Sequence, residues 1–247
     1  MHATVIIVFD EKPTDIEQAV EEAMMPYWEQ DDGQYSELEF EISLERNDFD
    51  DRIKRSFEEL HRRIAETEHK KKNLEYYSKL LRIKNTEGDI ALLEEITGDE
   101  YNEDEDALGY WYNPNGEWDW YVIGGRWARF FKVKYRTPKD RTYIAPDSLK
   151  EEDPVYEDGV DGCYKGDLDV DDMKARTLKR LNPNQIDLVF SSKIQALPKY
   201  EQSNVPFYSE AVLLNGEWIP TEDNNTAWDI IKDLPDTCFL VLVDYHF

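Results

Sequence analysis

The stretch "NPNGEWDWYVIGGRW", residues 113–127, gathers residue types that recognise a small planar anion. Gly124 and Gly125 interrupt an otherwise continuous strand, which marks a bulge or a close backbone approach. Backbone N–H groups presented there, beside the Arg126 guanidinium, would form an anion site. Trp118, Trp120, Tyr121 and Trp127 supply ring faces on which a base can stack. Alternating aromatics also suit a core hairpin or a protein-contact surface, with Arg126 paired to Asp119, and these readings stay open.

A second constellation could move protons. His2 and His246 flank two apolar segments that we expect to pair as neighbouring strands. Asp244, two residues before His246 and on the same strand face, is placed to orient that imidazole as a general acid–base pair requires. A structural histidine at a strand end is the alternative. His61 and His69 lie in a charged helical stretch and read as solvated. There is no G-x-G-x-x-G, Walker A or H-E-x-x-H motif.

Neither a metal nor a cofactor is implied. Aligning Asn102, Asp104 and Asp106 with the first ligands of a calcium loop puts Ala107 at the required glycine and Asn113 at the bidentate glutamate. "DLDVDD", residues 167–172, fails the same test. Cys163 and Cys238 lack ligand spacing and suit reduced thiols in a cytoplasm.

Charge narrows the partners. The net charge is −26, and residues 1–50 hold 15 acids against 2 bases. Residues 51–97 are nearly balanced, with 10 against 11, whereas 119–150 reverse the sign with 3 against 8. This field opposes direct nucleic-acid binding and suits solubility, a basic partner, or imitation of DNA. A small anionic ligand would be focused on the segment that begins at the glycine motif.

Several elements must position these residues. "ATVIIVF", residues 3–9, reads as a strand, and Asp15 opens a helix through Ile16, Ala19, Val20 and Ala23 that Pro26 stops. "YSELEFEISL" alternates Leu38, Phe40, Ile42 and Leu44 against polar residues, the mark of a half-buried strand with an acidic outer face. From Asp50 a three- and four-residue spacing predicts a long helix to about Lys84, with "HKKKN" as a possible break into a helical hairpin. A shorter helix ends at Gly98, and "DEYNEDEDALG" reads as an acidic loop. Asn115-Gly116 predicts a tight turn joining "GYWY" to "EWDWYVI", and "RWARFFKVKY" reads as a strand. Residues 137–170 look loop-like, a helix is expected from about Asp171 to Leu181, and Pro183, Pro198 and Pro206 punctuate an irregular stretch. "EAVLLNGEWIP", "NTAWDIIKDL" and "TCFLVLVDYHF" give a hairpin, a helix and a buried strand.

The predicted fold is therefore α+β, a mixed or antiparallel sheet of ferredoxin-like flavour with covering helices. The expected organisation is one domain over residues 1–247, with a helical insertion at 50–97. No stretch approaches the roughly 20 apolar residues of a membrane span, and no leader pattern opens the chain.

The motif "WYNPNGEWDWYVIGGRW", with Pro26-Tyr27, "AVLLNGEW" and "VLVDYHF", resembles a group of uncharacterised proteins of bacteriophages and mobile elements. Their signature is like YNP-x-x-WDWY-x-IGGRW, with a last strand ending close to V-D-C-H-I. Tyr245 stands at the cysteine position, Phe247 at the isoleucine, and Ala128-Arg129 where a glycine often follows. The resemblance implies a phage context and no particular reaction. The expected function is a non-catalytic counter-defence protein of the host cytoplasm. Its expected partner is a nucleotide-like signal held at Trp118, Trp120, Tyr121, Gly124, Gly125, Arg126 and Trp127, or a host defence protein. An acidic DNA mimic and a nucleotide enzyme using Asp244 and His246 are the alternatives, and a homo-oligomer is left open.

Overall fold

The structure, a computed structural model, describes residues 1–66, 70–146, 158–174, 209–222 and 225–247. Two compact units emerge where one domain was expected: Met1–Glu29 with Asn115–Phe247, and Gln30–Pro114.

The larger unit is built on a seven-stranded mixed sheet, the α+β class read from the sequence. Its centre is β1 (His2–Phe9), whose side chains are buried on both faces from Ala3 to Val8, which is why the run is apolar but for Thr4. β1 pairs antiparallel with β10 (Phe239–His246) from His2↔His246 to Phe9↔Phe239, as expected of the two apolar segments. On its other side β1 pairs in parallel with β8 (Ala211–Leu214). β8 turns into β9 (Glu217–Pro220) through Asn215 and Gly216, at φ 54° and 78°, the positive values a type I′ turn demands.

The remaining edge of β10 is shared between two short strands. β5 (Trp120–Ile123) takes residues 243–246, and β7 (Gly162–Tyr164), itself paired with β6 (Thr142–Tyr143), takes residues 239–241. Both faces are covered. α1 (Ile16–Met24), capped by the Asp15 side chain, buries Ile16, Val20 and Met24 with Val5, Ile7, Val241 and Val243. α5 (Ala227–Ile231), opened by a capping box between Thr226 and Asp229, buries Ala227 and Ile231 with Ile6, Leu240 and Leu242 on the other face. The order β1–α1, then β8–β9–α5–β10, is a β-α-β-β-α-β run with a long stretch inside it. The parallel pairing of β1 with β8 makes the sheet mixed.

The smaller unit packs an antiparallel sheet and three helices about one core. Its strands are β2 (Glu39–Glu45), β3 (Glu100–Asn102) and β4 (Ala107–Tyr112), in the order β2-β4-β3. The helices are α2 (Phe49–Glu66), α3 (Lys70–Thr86) and α4 (Asp89–Thr97), whose end is closed by Gly98 at φ 80° donating to the Glu94 carbonyl. Phe49, Ile53, Leu60, Leu80, Ile83, Leu92, Leu93 and Leu108 form the core. Thus 50–97 belongs to a unit with strands of its own, and α2 and α3 lie to either side of residues 67–69, in keeping with the helical hairpin that the "HKKKN" segment offered.

Other local expectations change. The acidic loop is the β3–β4 hairpin, its turn held by the Asn102 side chain accepting from Asp104 N at 2.9 Å. Asn115-Gly116 joins no hairpin, because β2 and β3 occupy the edges of β4 while β5 pairs with β10. Residues 128–135 form no strand: the chain turns at Arg129, φ 58°, and only the isolated bridges Phe131↔Val160 and Val133↔Leu168 follow. Residues 170–174 begin a helix, but the rest of the stretch expected from Asp171 to Leu181, and Pro183, Pro198 and Pro206, lie outside the described residues. Among the described residues no helix is long and apolar enough to cross a membrane.

Candidate functional site

The glycine pair forms a tight turn wrapped around two of the protein's own carboxylates. Gly124 and Gly125 take φ 77° and 49°, and residues Gly125–Trp127 close a short 3-10 turn. A Cβ on Gly125 would lie 2.4 Å from Asp244 Oδ2, and one on Gly124 would lie 2.6 Å from Asp161 Oδ1. Only glycine permits that approach. The Arg126 amide donates to Asp244 Oδ2 at 2.9 Å, and the Arg129 amide donates to Asp161 Oδ1 at 2.5 Å. Ala145 N donates to the other Asp161 oxygen at 2.9 Å, and Gly124 N to the Leu242 carbonyl at 2.9 Å.

The expectation of open amides for an external anion is therefore corrected. Asp161 and Asp244 are completely buried, and a buried carboxylate requires donors, so these two residues fill the cradle themselves.

The aromatics divide in the same way. Trp118 is core: it is 5% exposed, its Nε1 donates to the Met24 carbonyl at 3.0 Å, and it stacks on Trp28. Trp127 is buried among Phe130, Phe131 and Leu240. Tyr121 is half-buried edge-on to Trp118 at 4.8 Å, and burial, with Glu21 adding, pushes its phenol up to about 12. Trp120 alone of the four is open, at 48% exposure.

Trp120 belongs to a cluster at the His2 end of the sheet. The registers His2↔His246 and His246↔Trp120 put these three side chains on one face. The His2 and His246 rings stand 5.3 Å apart between centroids, and His2 meets Trp120 edge-on at 5.8 Å. Each imidazole is fixed by its own carboxylate. His2 Nδ1 lies 3.0 Å from Asp244 Oδ1, and His246 Nδ1 lies 2.9 Å from Asp119 Oδ1.

This pairing corrects the sequence reading, in which Asp244 orients His246 and Asp119 pairs with Arg126. Residues i and i+2 on one strand stand about 7 Å apart, so a short aspartate reaches a neighbouring strand more readily than its own. The Arg126 side chain is exposed, and among the described residues no carboxylate pairs with it. His246 Nε2 lies 3.0 Å from the Met1 amine.

An imidazole held through Nδ1 has a fixed ring orientation and a defined Nε2 for hydrogen bonding. Trp120 lies beside the pair and the Arg126 amide reaches it through Asp244, so this rim offers a ring face and two oriented imidazoles. The thiols offer little: Cys163 is fully buried, and burial pushes its pKa well up, which suppresses the reactive thiolate. Among the described residues no group of three or more His, Cys, Asp or Glu side chains could hold a metal ion.

The sequence reading brought Trp120, Arg126, Asp244 and His246 forward and passed over Asp161, which carries no local signal. No family model matches the chain, and neither a curated protein nor a solved structure matches it.

Proposed function

We propose that this chain is a phage-encoded, non-catalytic counter-defence protein that binds a nucleotide-like signal in the host cytoplasm. Its site would be the rim formed by Trp120, His2, His246 and Arg126. The observation that carries the reading is the shared face of Trp120 and two imidazoles, each oriented by a separate aspartate. A base would stack on Trp120, while the Arg126 guanidinium meets phosphate oxygens.

The phage context rests on the sequence resemblance, and one feature of the site supports its use. Asp119, Gly125 and Arg126 from the internal signature meet Asp244 and His246 from the last strand.

The test is to purify the protein from bacteria with active nucleotide-signalling defences, denature it, and identify released small molecules by mass spectrometry. A stoichiometric nucleotide is expected, and it should be lost from Trp120→Ala and Arg126→Ala at unchanged circular dichroism. A preparation free of nucleotide, or equal nucleotide in both variants, overturns the reading. Conversion of the nucleotide to a product overturns its non-catalytic part.

A second reading, docking on a basic defence protein in imitation of DNA, is favoured by β2. Glu39, Glu41 and Glu45 are all exposed there, and Tyr112 and Tyr110 hold the first two through hydroxyl bonds of 3.2 and 2.7 Å. Such an interaction weakens steeply with salt, whereas stacking on Trp120 does not. Salt-insensitive capture of a partner would exclude charge mimicry.

A further inference from the structure

A groove of about 380 Å³ runs between α2, α3 and α4 of the smaller unit. That volume falls within the roughly 300–1,000 Å³ of small-molecule sites. Its wall on α2 carries Arg52, Arg55 and Arg63, and spacings of three and eleven from Arg52 keep them on one helical face. The floor is apolar, with Leu60 and Leu80 at 6% and 1% exposure, and Tyr76 of α3 and Ile96 of α4 close the far side.

One carboxylate, Glu59, lines the groove, and arginine neutralises it. Arg62 donates to both of its oxygens at 2.9 and 2.6 Å, and Arg63 Nε donates at 2.8 Å. These bonds, Arg62 first, hold the Glu59 carboxyl down at about 2. Arg55 Nε reaches the Asp51 carbonyl at 3.2 Å, yet among the described residues no carboxylate pairs with Arg52 or Arg55. A chain of net charge −26 thus holds a concave surface with surplus guanidinium charge. Concavity focuses that field, and guanidinium forks match phosphate oxygens two at a time.

We propose that this groove binds a small phosphate ester with a planar or apolar body. Arg52 and Arg55 hold the phosphate, and the body lies against Tyr76 and Ile96 above the leucine floor. The site is separate from the rim of the larger unit and rests on no part of that reading.

Calorimetric titration of the full chain with ADP, inorganic pyrophosphate and adenosine tests it. ADP and pyrophosphate bind, and adenosine alone does not. The double variant Arg52→Gln/Arg55→Gln, both exposed positions, weakens both binding probes by at least about tenfold at unchanged circular dichroism. Tyr76→Ala weakens ADP but leaves pyrophosphate unchanged, and Trp120→Ala alters neither. Absence of binding by both probes, or undiminished affinity in the double variant, overturns the proposal. ADP binding that disappears with Trp120→Ala and survives the double variant belongs to the rim, and overturns the groove while supporting the reading above.

Discussion

Two carboxylates of the larger unit, Asp161 and Asp244, are fully buried and receive backbone N–H groups of the Gly-Gly turn and its neighbours. In the smaller unit the carboxylates of Glu39, Glu41 and Glu59 lie at the surface and are met by phenol hydroxyls and guanidinium groups. Acidic side chains of nearly the same chemistry thus do two different things. A buried carboxylate without donors is costly, so it dictates the backbone around it. An exposed one is screened by water and shapes the electric field more than the fold. Net charge alone cannot distinguish the two.

That contrast can be broken most severely at Asp244. Asp244→Ala leaves the Arg126 amide and His2 without their acceptor, and we expect a stability loss of about 3–5 kcal/mol in urea unfolding. Hydrogen exchange should show β5 and β10 losing protection while α3 keeps it, and uniform loss across both units would contradict a local anchor.

Gly125→Ala attacks the same turn from the backbone side. The added methyl meets Asp244 at φ +49°, for an expected cost of about 2–4 kcal/mol. Gly109→Ala is its counterpart in the smaller unit, where the Cβ would stand 2.1 Å from the Glu41 carbonyl and 2.7 Å from the Phe40 ring. It should displace β2 from β4, visible as exchange of the β2 amides, and leave the β5–β10 pairing intact.

Smaller effects sharpen the picture. Thr226→Ala removes half of the capping box of α5 and should cost about 1 kcal/mol, read as a lower urea midpoint with an unchanged slope. Glu59 gives the least, and loses it in acid. Its folded pKa, about 2, lies below the ordinary 4.5, so its contribution is complete above 4.5 and disappears as pH falls through about 2. Helicity lost over that window should be absent from Glu59→Gln and reduced at high salt.

Much of the fold was legible because it is local. The β-branched run of β1, the Asp15 cap, the Gly98 stop and the Asn215-Gly216 turn each declare themselves within a few residues. The candidate site was legible only in part. The amide of Arg126 and its acceptor Asp244 are separated by 118 positions, and those of Arg129 and Asp161 by 32, with nothing nearby to signal either bond. The glycine pair announced a close approach but not what approaches. The partner of "WDWYVI" was misread because a tight-turn dipeptide precedes it, whereas edge availability in β4 and β10 decided the pairing. The arginine groove was hidden by the near balance of residues 51–97, since a tally does not record which side of a helix each charge occupies.

The pairing of β1 with β10 has a consequence for the speed of folding. It joins residue 2 to residue 246 and residue 9 to residue 239, so the central ladder closes one of the longest loops this chain allows. Non-local pairing is slow, because the entropy of closure precedes any reward from contact. The smaller unit is continuous in sequence, from 30 to 114, and can mature while the larger sheet is still open. Until the ladder closes, two of the most apolar strands present unpaired edges to solvent. Heat, crowding or slow synthesis should therefore divert this protein into aggregates through β1 and β10, long before the native state itself becomes unstable.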